Sequence, residues 1–235
     1  MLTDQEFVRY SRQIMLPECG EAGQLTLRNA RVLLLGVGGL GCASAAALAA
    51  AGVGYLRLCD NDTVELSNLP RQLLFNTADI GKLKVAVAQR ALIRLNPYIQ
   101  IDACPERFAA DSAANLLNGI DWVLDGTDNF ASRLLISQHC QQRQINLLTA
   151  ALSPRYGQLM LWPYRQQDTP AYHQLFSTVT DSAGNCRSQG VLGPFAAMVG
   201  QWQASMLVQQ LLKPTEQAAL WQLDTISWQI QHIAL

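Results

Sequence analysis

Residues 33–46 read LLLGVGGLGCASAA, an apolar run that breaks into glycines and restarts on small residues. A run of this kind ending in Gly36-x-Gly38-x-x-Gly41 fits a buried strand, a tight turn and the first turn of a helix. Gly36 permits the turn, Gly38 lets a phosphate approach the backbone, and Gly41 lets the helix pack on the strand. The helix N-terminus adds free N–H groups and a partial positive charge. Asp60 stands 24 residues after Gly36 and directly after the next apolar stretch, Tyr55–Cys59. A carboxylate at that place accepts hydrogen bonds from ribose hydroxyls. These residues point to a nucleotide and leave two chemistries open, hydride transfer on a dinucleotide and turnover of ATP. A glycine turn that serves packing alone is the plainer alternative.

The rest of the chain fits the fold that this turn implies. The pattern predicts helices over 4–16 and 24–29, a strand Val32–Leu35, a helix through about Ala51, and a strand Tyr55–Cys59. A helix Lys82–Leu95, stopped by Asn96-Pro97, precedes a strand Ile99–Ala103. Then follow a helix Asp111–Leu117, a strand Trp122–Asp125, a helix Arg133–Arg143 and a strand Asn146–Ala150. Such alternation predicts an α/β, Rossmann-like, doubly wound and mainly parallel sheet with helices on both faces. From about residue 155 the character changes. Gly157–Pro163 reads as a strand that turns antiparallel, 164–190 as a polar loop, and Pro194–Leu212 as a long apolar helix. Ile226, Trp228 and Ile230 alternate within 220–234, which predicts a final strand pair and so a C-terminal antiparallel extension. No repeat or linker divides the chain. It reads as a single domain over 1–235, with N-terminal helices to residue 30, a nucleotide-binding half over 31–155 and a second half over 156–235.

Composition narrows the partners. Charged residues make up 15% and hydrophobic residues 49%, against roughly 25% charged in ordinary soluble domains. Much of the surface is therefore expected to be buried, in a large core or against a second subunit. The net charge of -1 gives no reason to expect nucleic acid or a membrane surface as partner. Cys19, Cys42, Cys59, Cys104, Cys140 and Cys186 form no C-x-x-C pair, so neither a zinc ribbon nor a redox dithiol is expected. Scattered cysteines and the polar start Met1–Glu6 suit a cytoplasmic protein. The alanine-rich stretch 42–56, broken by Gly52 and Gly54, reads as a buried helix rather than a membrane span. His139, His173 and His232 show no ligand or triad spacing and read as structural.

The stretch after Asp60 separates the two nucleotide chemistries. It reads DNDTVELSNLPRQ, with Asn68, Arg71 and Gln72 in places where hydride transfer has no use for them. Lys84 follows in GKLKV, and two of the chain's three lysines (82, 84 and 213) lie in this segment. An arginine and a lysine beside a nucleotide neutralise phosphates and stabilise charge developing at phosphorus. LDGTDN places Asp125 and Asp128 at the C-terminal end of a strand, where ligands bind in open sheets. An aspartate there can hold Mg²⁺. Turn formation and helix capping are the plainer readings of both.

Taken together, these segments are identified with a family. RYSRQIML (9–16), GVGGLG (36–41), AGVGYLRLCDND (51–62), LSNLPRQLLF (66–75), GKLKV (81–85), LNP (95–97), LDGTDN (124–129) and GNCRSQGVLGP (184–194) occur in family order over essentially the whole chain. The chain resembles the ThiF/MoeB/HesA family of ubiquitin-activating-enzyme-like adenylyltransferases, and its last segment is nearer the ThiF branch. The resemblance implies that Gly36, Gly38, Gly39 and Gly41 form the phosphate loop and that Asp60 takes the ribose of ATP. It implies that Asn68, Arg71, Gln72 and Lys84 contact the triphosphate, that Asp128 ligates Mg²⁺, and that Asn129 belongs to the nucleotide site. Arg12 would reach the γ-phosphate in a neighbouring subunit, which implies a homodimer with shared sites. Cys186 matches the family's reactive cysteine on a loop crossing above the substrate tail. The implied reaction is Mg-ATP-dependent adenylation of the C-terminal carboxylate of a ThiS-like sulfur carrier ending in Gly-Gly. A persulfide donor would then supply sulfur, with thiamine biosynthesis as the pathway.

The chain also departs from that pattern. The family's two zinc-binding C-x-x-C pairs are absent: Ala171 and Gln174 stand where the first belongs, and the sequence stops at Leu235 without the second. Zinc is therefore not expected. LPRQ at 69–72 replaces the family's LQRQ, so Pro70 removes one N–H donor. A specialised relative acting on a MoaD-like or secondary-metabolite carrier, or on a peptide carboxylate, stays open. So do an NAD-binding oxidoreductase and a non-catalytic dimer that docks a ubiquitin-like partner. For Cys186 the plain reading is a loop thiol without a role, although Arg187 beside it would favour the thiolate.

Overall fold

The computed structural model describes residues 1–166, 169–176 and 190–235. One sheet of eight strands organises them: β1 Arg31–Leu35, β2 Tyr55–Cys59, β3 Gln100–Cys104, β4 Trp122–Asp125, β5 Asn146–Leu152, β6 Tyr156–Trp162, β7 Ala219–Asp224 and β8 Ile230–Ala234. The spatial order is β3-β2-β1-β4-β5-β6-β7-β8. The first five are parallel, and β6, β7 and β8 are each antiparallel to the strand before. The direction of winding reverses between β1 and β4, which opens a crevice at the C-terminal ends of those strands.

The helices are α1 Asp4–Arg9, α2 Ser11–Ile14, α3 Gly20–Asn29, α4 Gly39–Ala51, α5 Lys84–Leu95, α6 Ala113–Leu116, α7 Phe130–Gln142, α8 Tyr172–Leu175 and α9 Gly193–Leu212. The inner parallel strands β2, β1, β4 and β5 are largely buried on both faces, so their side chains alternate between two apolar layers. Val32, Leu34 and Leu124 enter the layer that also takes α4, α5 and α9. Leu33, Leu35 and Val123 enter the layer that takes α6, α7 and α8. α4 is mostly Ala, Gly and Ser, which lets α9 come very close: a Cβ on Gly200 would lie 2.5 Å from Leu40 O. The contact is sealed by buried polar groups. Ser44 Oγ lies 2.8 Å from Gln203 Oε1, while Gln203 Nε2 donates to the carbonyls of Asp125 (3.2 Å) and Leu148 (3.0 Å).

Several sequence expectations shift. The helix expected over 4–16 is two helices, because Tyr10 leaves helical geometry to fill a buried seat. Its hydroxyl accepts from Asn96 Nδ2 at 2.8 Å, and its ring covers Gly52. α3 starts at Gly20 rather than at 24. α7 starts at Phe130 rather than at Arg133, because Asn129 caps it: Asn129 Oδ1 accepts from Ser132 N at 2.9 Å. The strand pair at the C-terminus is present, but Ile226 and Trp228 are not in it. Asp224 accepts from Ile226 N at 2.8 Å and folds residues 225–229 into the turn, with Trp228 at φ +56°. The loop expected over 164–190 contains α8 among its described residues.

Candidate active site

The glycine turn lies at the mouth of the crevice. Gly36 N donates to Cys59 O (2.9 Å) and Gly126 N donates to Leu35 O (3.0 Å), so the ends of β2, β1 and β4 stand side by side. Gly36 has φ +87°, a left-handed conformation that glycine alone adopts freely. Gly41 is required for another reason. A Cβ there would lie 2.0 Å from Gly36 O, so the turn rests directly on the first turn of α4. Gly38 is the N-cap of α4 and makes no side-chain cap, which leaves the first amides of the helix for an anion.

Asp60 braces this turn. Its Oδ2 accepts from Val37 N at 2.7 Å and its Oδ1 from Asp62 N at 2.8 Å. Each oxygen keeps a second lone pair for a hydroxyl donor. Arg71 and Gln72 arrive from a short 3-10 turn at Leu66–Asn68. An added Cβ on Gly39 would lie 3.3 Å from Arg71 O and 3.4 Å from Arg71 Cγ, and one on Gly38 would lie 3.9 Å from Gln72 Nε2. Both residues therefore border the phosphate loop. The Arg71 guanidinium is held by Ser67 O at 2.9 Å. Lys84, the first residue of α5, is buried and pairs with Asp62 at 3.0 Å. Its charge also acts on Cys42 in the first turn of α4.

On the other side of the crevice lies the loop after β4. Asp125 is fully buried, and its Oδ1 accepts from Thr127 N (2.8 Å) and Thr127 Oγ1 (2.7 Å). Burial pushes its carboxyl above the usual range, against the opposing pull of Arg133 and the Thr127 bonds. Asp128 is half-buried, with Asn129 Nδ2 at 3.5 Å from its Oδ1. Among the described residues it belongs to no cluster of three acidic, histidine or cysteine ligands. A magnesium ion there would take its other ligands from phosphate and water, which is its ordinary habit.

The fold thus brings the four loop glycines, Asp60, Arg71, Gln72 and Lys84 to one place, with Asp128 on the facing loop. Other expected residues are committed locally. Asn68 is buried, and its Oδ1 accepts from Glu65 N at 3.1 Å within its own turn. Asn129 caps α7. Arg12 lies in α2 beside Gln13, whose amide donates to Ala51 O at the far end of α4. That helix has 13 residues, so Arg12 is about 20 Å from the glycine turn of its own chain. Cys186 and Arg187 lie outside the described residues. Cys42 and Cys59 are core residues whose thiols burial pushes up to about 12. Two side chains beside the site were not among the candidates read from the sequence. Asp62 fixes Lys84, and its clue is the second acid of DND. Arg133 stands one turn into α7, and its clue is its spacing from the Asn129 cap.

A nucleotide fits this donor set. Among the described residues, Gln72 Oε1, beside the glycine turn, is a buried polar atom without a hydrogen-bond partner. The glycine-turn amides, Arg71 and the Asp60 carboxylate border one crevice, and Lys84 is tied to it through Asp62.

Comparison with known proteins gives the class. The ThiF family model matches residues 10–235. The molybdopterin-synthase adenylyltransferase of Salmonella typhimurium is 40% identical over 210 residues, covering 89% of this chain and 84% of that protein. The sulfur carrier protein ThiS adenylyltransferase of Escherichia coli is 42% identical over 204 residues, covering 86% of this chain and 80% of that protein. Among solved structures, PaaA superposes with a TM-score of 0.84 at 21% identity, over 99% of this chain and 74% of that one. Escherichia coli MccB with ATP superposes at 0.79 and 21%, over 96% and 71%. The chain belongs to the ThiF family. It is an adenylyltransferase and, as such, uses ATP.

Proposed function

We propose that this chain adenylates the C-terminal carboxylate of a ubiquitin-like, ThiS-type sulfur carrier ending in Gly-Gly, as a step toward its thiocarboxylate in thiamine biosynthesis. The observation that carries the reading is the meeting of Arg71, Gln72 and buried Lys84 with the glycine turn, opposite a loop that carries Asp128. The relative in Escherichia coli named for ThiS supports the carrier class.

The chemistry follows from the residues. Amides of the glycine turn and α4 hold the phosphates, and Asp60 holds the ribose. A carboxylate oxygen of the carrier attacks the α-phosphorus; the bond from that phosphorus to the bridging oxygen breaks, and pyrophosphate leaves. The nucleophile is already ionised, so no general base is needed. Arg71 and Lys84 stabilise the charge that develops at phosphorus. Asp62 keeps Lys84 aimed without a mobile tether. Asp128 and the phosphates would hold Mg²⁺, which would neutralise further charge on the leaving group. Arg12 would serve the site of a neighbouring copy, since it is remote from its own. A persulfide donor would displace AMP, with Cys186 handling sulfur rather than adenylation.

Carrier-dependent ATP–pyrophosphate exchange tests the reading. Exchange is expected with a ThiS-type carrier and not with the same carrier lacking its terminal Gly-Gly. Absence of exchange with every Gly-Gly carrier of the same genome would sink it. Exchange with a MoaD-type carrier alone would move the chain to the molybdopterin branch, where its Salmonella relative is named. Cys186→Ala is expected to keep exchange and to lose sulfur transfer.

A further inference from the structure

Four buried side-chain polar atoms lack a partner among the described residues, and three of them belong to one neighbourhood behind the Asp128 loop: Asp125 Oδ2, Arg133 Nε and Trp162 Nε1. What joins them is Tyr172. Its ring packs against Trp162 (centroids 5.5 Å apart), Phe130 (5.9 Å) and Phe176 (4.6 Å). It is buried, although it lies in a single helical turn at the surface end of the sheet. Phe130 opens α7 one turn before Arg133, so the Tyr172 ring lies against the end of the helix that carries Arg133, and the Arg133 guanidinium acts on its hydroxyl by charge and hydrogen bonding.

Arg133 reaches in the other direction to the site. Its Nη2 donates to Thr127 O at 2.8 Å, and Thr127 in turn binds Asp125 Oδ1 through both its amide and its hydroxyl. A chain of contacts therefore runs from α8 through Arg133 to the residue just before Asp128. α8 is the last described element ahead of the segment that carries Cys186. Its own backbone start is closed by Gln174 Oε1, which accepts from Ala171 N at 3.1 Å, so the turn is held by packing and capping from its own residues.

We propose that Tyr172 is a positioning residue: seated among Trp162, Phe130 and Phe176, it holds Arg133 against Thr127 and so sets the loop that presents Asp128 to the nucleotide's phosphates. The inference rests on the reading of Asp128 given above. A ring alone would fill the aromatic seat. A hydroxyl turned toward a guanidinium, in a pocket that also holds an unpartnered carboxylate oxygen, does more than fill space. It limits the directions that Arg133 can take.

Tyr172→Phe removes the hydroxyl and keeps the ring. It is expected to leave the unfolding temperature of the unliganded protein nearly unchanged, to lower the turnover rate of exchange about tenfold, and to raise the Mg²⁺ concentration at half-maximal exchange. The stabilisation that Mg²⁺ adds to the ATP-bound protein, read as a shift in unfolding temperature, is expected to shrink without any turnover being needed. Arg133→Lys, which keeps the charge and loses the fork, is expected to do the same. An unchanged Mg²⁺ dependence in both variants would overturn the proposal, and so would a fall in stability with turnover intact. Asp128→Asn distinguishes the two levels. If it abolishes exchange while Tyr172→Phe behaves as the parent, the positioning role fails and the site reading stands. If it keeps exchange, the site reading itself fails and this inference with it.

Discussion

The two ends of the sheet are built on opposite terms. At the parallel end, where β2, β1 and β4 finish, polar groups are spent on neighbouring segments: Asp60 on Val37, Asp62 on Lys84, Gln203 on two strands and a helix. At the antiparallel end, β8 is exposed along its length, and Ile226, Trp228 and Ile230 stand in solvent. That hairpin is held by pairing of β7 with β6 and β8, with the Arg155–Asp224 pair at 2.7 Å beside its turn. The difference teaches where rigidity is needed. Charge stabilisation at phosphorus works only if donors are in place beforehand. A surface hairpin carries no such demand, so strand pairing with one face in solvent suffices.

Substitutions that break the comparison should show effects in the same order. Gly41→Ala should be the most damaging, since its Cβ would lie 2.0 Å from Gly36 O and neither backbone segment can yield cheaply. A loss of about 3 kcal/mol in urea unfolding is expected, with ATP-induced stabilisation abolished. Arg71→Ala and Lys84→Ala should each cut exchange by roughly 10²-fold to 10³-fold. Arg71→Ala should do so with little change in stability, because that side chain is half-buried and held by a single carbonyl. Gln203→Leu would leave the carbonyls of Asp125 and Leu148 without their donor inside the core. A cost of about 2 kcal/mol is expected, read by chemical denaturation.

The smallest effect belongs to the hairpin, and its pH dependence sharpens the contrast. Hydrogen bonds from Arg155, then the Ile226 amide, hold the Asp224 carboxyl down at about 2. A lowered folded value means that its contribution is present above the unfolded value of about 3.9 and is lost as pH falls through the folded one. Asp224→Asn should therefore be slightly less stable at neutral pH and should lack that acid-dependent component, seen by comparing unfolding temperatures from pH 6 down to pH 2. Asp125 has the opposite sign. Burial raises its carboxyl, so its favourable contribution belongs to acid and is lost as pH rises through the folded value. Carboxyl NMR titration should find Asp224 below the ordinary range and Asp125 above it.

The parallel half was read from the sequence with little error. Tyr55–Cys59 and Trp122–Asp125 are strands with the expected boundaries, because a short run buried on both faces is mostly apolar and is bounded by turn residues. Errors came where a side chain serves two descriptions. Asn129 sits in a nucleotide-family motif, and its membership hid that it is also a helix cap. Tyr10 has the right spacing for one continuous helix, yet it is drawn away by Asn96 and Gly52, which are distant in sequence. Trp228 and Ile226 alternate as strand residues do, but one carboxylate two residues before Ile226 folds them into a turn. Local periodicity contains none of these competitors. For the proposed site, Asp60, Arg71, Gln72, Lys84 and Asp128 were legible as candidates, and the fold brings them to one crevice. Arg133 and Tyr172 were not legible, because their meaning lies in a contact between α7 and α8.

The sequence by itself determined the glycine turn, the alternation of strands and helices that follows it, and the kinds of charge that could attend a phosphate. Those depend on backbone sterics and on short-range pattern, which a chain carries along its length. Only the tertiary structure decided that Lys84 is aimed by Asp62, that Arg12 lies at the wrong end of α4 to serve its own site, and that Tyr172 lies behind the Asp128 loop. Each of these is a distance between segments far apart in the chain, set by how the two apolar layers close on the sheet.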